Sequence, residues 1–118
     1  MLTNITVEIM LKIKPSDIVE LIGTFFLTAV VIGSGIMAEN LSQGNDAVAL
    51  LGNTISTGAI LFVLIKSFSS ISGAHFNPVV SFIFFIKKEL TLSTFLKYIT
   101  LQFLGAFLSV IVVHYYFD

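Results

Sequence analysis

A short stretch near the middle of the chain, Ser72-Gly73-Ala74-His75-Phe76, leads into Asn77-Pro78, and this pairing is the most chemically specific feature of the sequence. Asn is a strong helix N-cap and Pro is tolerated at the first helical position, so a helix is expected to start there. Up to Lys87 it would rise about 16 Å at 1.5 Å per residue, roughly half the thickness of a bilayer's hydrocarbon. The irregular backbone before it leaves carbonyls free to accept hydrogen bonds from something passing. The unpaired helix N-terminus adds about half a positive charge, which suits neutral or anionic species and opposes cations, protons included. The chemistry implied is recognition and passage, not bond making. The chain has no Cys, and no metal-ligand cluster, nucleophile constellation or phosphate loop stands out, so no enzyme activity, metal or other cofactor is expected.

Such a loop can lie at membrane depth only inside protein or along a watery cavity. The elements that could hold it are set out by the charge map. Eighteen uncharged residues separate Glu20 from Glu39, nineteen separate Asp46 from Lys66, and twenty separate Lys97 from Asp118. Each stretch can cross about 30 Å of hydrocarbon as a helix, the first with residues borrowed near Asp17. Spans are expected at about 17–38, 47–66 and 96–117. The stretch 67–87 is as long but not equivalent: Ser67 to Gly73 is poor helix and Pro78 interrupts it. It reads as a re-entrant loop plus half-helix, which makes the fold class all-α integral membrane with three transmembrane helices and one half-helix. Apolar residues make up 56% of the chain and charged residues 11%, against about 45–50% and 25% in soluble domains. A formal charge of −1 gives no field for nucleic acid.

Residues 1–16 form an N-terminal cytoplasmic or interfacial segment. Asn4, Glu8, Lys12 and Lys14 interrupt it, so it is no cleavable signal and is expected to stay attached. Leu2, Ile5, Ile9 and Ile13 suit a short interfacial helix, and a frayed terminus fits as well. Lys12, Lys14, Lys66, Lys87, Lys88 and Lys97 all fall on one side if 67–87 dips in and returns, while the 39–46 loop has none. The positive-inside rule then puts the N-terminus in the cytoplasm of a plasma or inner membrane and the C-terminus outside. Tyr115, Tyr116 and Phe117 make an outer interfacial belt, and His114 is also interfacial.

Ile71-Ser72-Gly73-Ala74-His75-Phe76-Asn77-Pro78-Val79-Val80-Ser81 resembles the first signature loop of the aquaporin family (major intrinsic proteins), SGAHxNPAVT, departing at Val79 and Ser81 only in small ways. The likeness extends to Glu20-Leu21-Ile22-Gly23-Thr24-Phe25-Phe26 and to Gln102-Phe103-Leu104-Gly105-Ala106, and so covers 17–118. Gly33-Ser34-Gly35-Ile36-Met37-Ala38-Glu39 looks like a bacterial branch. The resemblance implies one half of an inverted repeat. The family's second loop carries an Arg at the outer constriction, and this chain has no Arg.

By the same resemblance, Asn77 with Pro78 and Val79 would face a solute at mid-pore, while Gly73, Ala74 and His75 would line the wall through carbonyls. The alternatives are a simple cap for Asn77 and an ordinary buried His for His75. Glu20 resembles the family's buried Glu that braces the re-entrant loop, with an interfacial carboxylate as the alternative. Gln102 would support loop or pore, or serve as interhelical glue. Thr57 falls by spacing at a constriction position, with Leu61 continuing its face; a polar packing stripe of Asn53 and Thr57, with Gly52 and Gly58 for close approach, is the alternative. Three functions remain open: a half-channel for water or small neutral solutes, pairing with a separate C-terminal-type half; an antiparallel homodimeric pore; and a non-conducting fragment that modulates full-length channels. Membrane lipid and a higher oligomer are the other expected partners.

Overall fold

The computed structural model describes residues 2–117; Met1, Asp118 and the side chains of Leu2, Thr6, Ile9 and Met10 lie outside the described residues. Every element among the described residues is helical: α1 (Leu2–Leu11), α2 (Pro15–Leu41), α3 (Asp46–Ser72), α4 (Pro78–Ile86) and α5 (Leu92–Phe117). Only α2, α3 and α5 are long and apolar enough to cross a membrane. At 27, 27 and 26 residues each rises about 40 Å. They therefore exceed the expected spans at both ends or one, and their ends reach past the hydrocarbon.

Local chemistry explains where the helices start. Pro15 takes the first position of α2, and Asp17 reaches back to accept the Lys14 N–H at 2.8 Å. Asn45 caps α3 by accepting the Val48 N–H at 3.2 Å. The stretch Ser67 to Ser72, expected to be poor helix, is helical, which corrects the sequence reading. Serine is unfavourable in helices mainly because its hydroxyl offers the backbone an alternative partner, and in an apolar setting the intrahelical bonds hold. Termination falls instead to Gly73 at φ +86°, whose N–H donates to Ser69 O at 3.0 Å.

Packing centres on α2, which lies between α3 and α5, while α4 rests on α5 and α1 touches it lightly. Gly105 lets α5 meet α2 at backbone distance: a Cβ there would sit 2.5 Å from the Leu21 carbonyl oxygen. Gly52 allows α3 a similar approach to Ala38, where a Cβ would lie 3.2 Å from its methyl group. Gly58 does not act as expected, since nothing lies within 4 Å of its α carbon's open side. The expected face of the N-terminal segment is also cut short, because α1 ends at Leu11, before Ile13.

Candidate functional site

Between α3 and α4 the backbone takes a conformation it would not choose alone. Ala74 (φ +54°) and Phe76 (φ +52°) follow Gly73 into the left-handed region, at about 1–3 kcal/mol for each non-glycine residue. Glu20, fully buried on α2, holds this shape. Its Oε1 accepts from the Ser72 hydroxyl at 2.7 Å and the His75 N–H at 3.0 Å; its Oε2 accepts from the Phe76 N–H at 2.7 Å and Gln102 Nε2 at 2.8 Å. Four donors converge on one carboxylate, which satisfies its lone pairs without a cation. Ser72 Oγ accepts in turn from the Ala74 N–H at 3.0 Å, and Tyr98 on α5 donates to the Ser72 carbonyl at 2.8 Å.

The network continues into α4. Gln102 Nε2 donates also to Ser81 Oγ at 3.0 Å, and Ser81 Oγ lies 2.9 Å from His75 Nδ1. The Ser81 hydroxyl has one proton and two lone pairs, so it can accept from Gln102 and still bond Nδ1 in either tautomer of the imidazole. The ring stacks on Phe84 at 4.6 Å between centroids and meets Tyr98 edge-on at 5.3 Å. Phe76 packs directly on Gly23, where no side chain would fit.

The other side of the loop is open. Asn77 is exposed, and its Oδ1 accepts the Val79 N–H at 2.8 Å, capping α4 behind Pro78. Its carboxamide N–H groups make no hydrogen bond among the described residues. Among the described residues, the carbonyls of Gly73, Ala74, His75 and Phe76 accept no hydrogen bond. A cavity of about 310 Å³ adjoins the turn, lined by Phe76, Asn77 and Pro78 with residues of α2 and α5. Gly73, Ala74, His75, Asn77, Pro78 and Val79 thus lie together, with Glu20 and Gln102 behind them. Thr57, half-buried, and Leu61, exposed, sit on α3 and do not line this cavity. Their neighbour Asn53 is engaged in helix packing, its Oδ1 accepting from Ser34 on α2 at 3.0 Å.

Ser72, Ser81 and Tyr98 are absent from the sequence candidates. Tyr98 could have been found one turn before Gln102 on the same face of α5. A second missed feature is a buried ion pair: Lys97 Nζ lies 3.1 Å from Asp17 Oδ2 and donates to the Lys12 carbonyl at 3.2 Å. Lys97 is only 7% exposed, and the pair ties α5 to the start of α2.

Three helices long and apolar enough to cross a membrane, with a short helix that rests on α5 and is entered through an irregular, internally braced loop, make this an integral membrane protein. The chain belongs to the major intrinsic protein family, whose model matches residues 10–118, and whose members are channels, not enzymes. It is 46% identical to an aquaglyceroporin of Rhizobium meliloti over 86% of this chain and 43% of that protein. It is 37% identical to a putative aquaporin of Arabidopsis thaliana, over 78% of this chain and 31% of the relative. The match therefore spans less than half the length of either protein. No solved structure matches the chain.

Proposed function

We propose that the chain is one half of a passive transmembrane pore of the aquaporin and glycerol-facilitator type, open to water or small neutral solutes. One observation carries this reading: among the described residues the carbonyls of Gly73 to Phe76 accept no hydrogen bond, next to the N-terminal end of α4 that Asn77 caps, while Glu20 and Gln102 brace the same turn from behind. A row of acceptors next to a donor end passes molecules that both give and take hydrogen bonds. The positive end of α4 opposes cations. In this reading Gly73, Ala74 and His75 line the path by their carbonyls, Asn77 with Pro78 and Val79 forms its midpoint, and Thr57 and Leu61 face the filter. The name of the Rhizobium relative extends the solute range to polyols such as glycerol.

One half-helix cannot enclose a pore, so a second half is required. The six lysines at 12, 14, 66, 87, 88 and 97, set against none in the 39–46 loop, favour a single orientation by the positive-inside rule, N-terminus cytoplasmic and C-terminus outside. This favours a C-terminal-type half over a second copy inserted upside down. Reconstitution in liposomes tests the proposal. The chain alone should add little water or glycerol permeability and no ion conductance; addition of the part of the Rhizobium aquaglyceroporin that this chain does not match should raise solute flux. Substantial flux from the chain alone would favour the homodimer, and no flux from the pair would refute the channel role.

A further inference from the structure

A groove of about 240 Å³ runs beside the start of α5, lined by Leu11, Ile13, Leu96, Lys97, Thr100 and Leu101. Four of the six are apolar. The one charge among them is matched, since Lys97 Nζ lies 3.1 Å from Asp17 Oδ2, and the Thr100 hydroxyl gives its proton to the Leu96 carbonyl at 2.7 Å. Opposite α5 stands the connector between α1 and α2, residues 12–14, which is not helical. It is pinned at both ends: Lys97 Nζ donates to the Lys12 carbonyl at 3.2 Å, and the Lys14 N–H donates to Asp17 at 2.8 Å. The buried ion pair therefore fixes one wall of the groove. That wall also carries charge outward. Lys12 and Lys14 are exposed, and neither makes an ion pair among the described residues. Glu8, exposed and four positions before Lys12, offsets one of them at most.

Depth separates these features. At about 40 Å, α5 is about 10 Å longer than the hydrocarbon is thick. Shared between its ends, the excess puts the hydrocarbon edge about three residues into α5, near Phe95. Leu96 to Leu101 then run from that edge inward, while Lys12 and Lys14 precede Pro15, the first residue of α2, and stand among the headgroups. We propose that the groove holds an anionic phospholipid, its phosphate at Lys12 and Lys14 and one acyl chain between the connector and α5. The site needs only a membrane-spanning chain and is independent of the half-channel reading. Its volume falls below the about 300–1,000 Å³ of pockets that enclose a whole small molecule, which suits part of an acyl chain whose remainder stays in the bilayer. A second copy in the same orientation is a poorer match. It would bring lysines to this level, because its Glu39 and Asp46 lie at the far end of α2 and α3 and its Glu89 is paired with Lys87.

The chain has no Trp, so single-tryptophan variants fluoresce without background. Leu11→Trp, at a groove residue 73% exposed, reports on the site, and Phe107→Trp reports on an exposed position of α5 outside it. Each full chain is reconstituted in liposomes of phosphatidylcholine and phosphatidylglycerol, with bromine on the acyl chains of one lipid or the other, and quenching gives their relative affinity. At Leu11→Trp phosphatidylglycerol should be preferred at least about fivefold, the factor that one interfacial lysine supplies at about 1 kcal/mol; at Phe107→Trp the two should quench alike. Added to Leu11→Trp, the pair Lys12→Gln and Lys14→Gln should abolish the preference, whereas Lys12→Arg and Lys14→Arg should keep it. The pair Lys66→Gln and Lys88→Gln removes the same charge elsewhere and should leave it intact. Thr100→Phe, at an exposed position, fills the groove without changing charge and should bring the two lipids close to parity. Glycerol phosphate in excess, a headgroup without acyl chains, should not compete. Equal preference at both tryptophans would reduce the site to ordinary boundary lipid. A preference that survives Thr100→Phe, or that Lys66→Gln with Lys88→Gln removes equally well, would assign it to surface charge and overturn the groove. Competition by glycerol phosphate would overturn the lipid as ligand, and a Leu11→Trp that neither lipid quenches would show protein in its place.

Discussion

Replacing Glu20 with Gln keeps the shape of the side chain and removes the charge from a group that accepts four hydrogen bonds. An amide offers one oxygen to those four donors, and its NH₂ faces two of them. One conflict has an escape, because Gln102 Oε1 is unpartnered and its amide can turn to accept from the new NH₂. What remains is one loop N–H, that of His75 or Phe76, buried without an acceptor at about 1–3 kcal/mol. Two retained bonds fall from charge-assisted to neutral, about 1 kcal/mol each. Relief from burying a charge offsets part of this, so the net loss should be about 2–4 kcal/mol. Glu20→Leu strands every donor and should cost more. Thermal melting in detergent, with hydrogen exchange over residues 73–77, measures both. The melting temperature should fall in the order parent, Gln, Leu, and exchange should accelerate first at His75 and Phe76. Unchanged melting in both variants would refute the bracing role. Altered solute selectivity with melting intact would place Glu20 in the conduction path.

Gly105→Ala should separate α2 from α5, since the added methyl group would meet the Leu21 carbonyl at 2.5 Å; a loss of about 3 kcal/mol or more, an overpacking cost at its upper end, should appear as poor yield and early melting. Asp17→Asn should cost about 3–5 kcal/mol by leaving Lys97 buried and uncompensated, whereas Asp17→Leu combined with Lys97→Met should melt closer to the parent; equal damage from single and double changes would contradict the pairing. Ala74→Gly should raise stability by up to about 1 kcal/mol, because glycine adopts the φ of +54° found there without strain; a destabilised variant would show that the Ala74 methyl group packs more than it strains.

The start of α4 was legible because it rests on local chemistry, an Asn cap followed by Pro, which acts within a few residues. The end of α3 was not, since serine propensity measured in water does not carry into an apolar setting and a single left-handed Gly73 decides the stop. Inward faces were hidden for a related reason. In lipid the outward face is as apolar as the inward one, so hydrophobic periodicity carries little information. The buried stripe of α5 is marked by polar and small residues instead, Tyr98, Gln102, Gly105 and Ser109. The pairing of Lys97 with Asp17 was not legible, because nothing local links residues 80 positions apart. Glu20 was legible as a carboxylate too deep to be idle, whereas Ser81 looked like a minor departure from a motif and only its position between His75 and Gln102 shows what it joins.

The wiring of the Glu20 carboxylate also sets a timetable. Its partners follow at separations of 52, 55, 56 and 82 residues, so synthesis delivers Glu20 to the membrane long before any of them exists. Until then a carboxylate in hydrocarbon is costly, and α2 must be sheltered by water, headgroups or the insertion machinery. The re-entrant turn meets the reverse problem, for its left-handed residues have no mould until α2 stands beside them, and the mould is incomplete until Gln102 on α5 has left the ribosome. The element that bears the candidate site is therefore shaped last, and a chain stalled before residue 102 would hold spans in the membrane around a turn that has not taken its form.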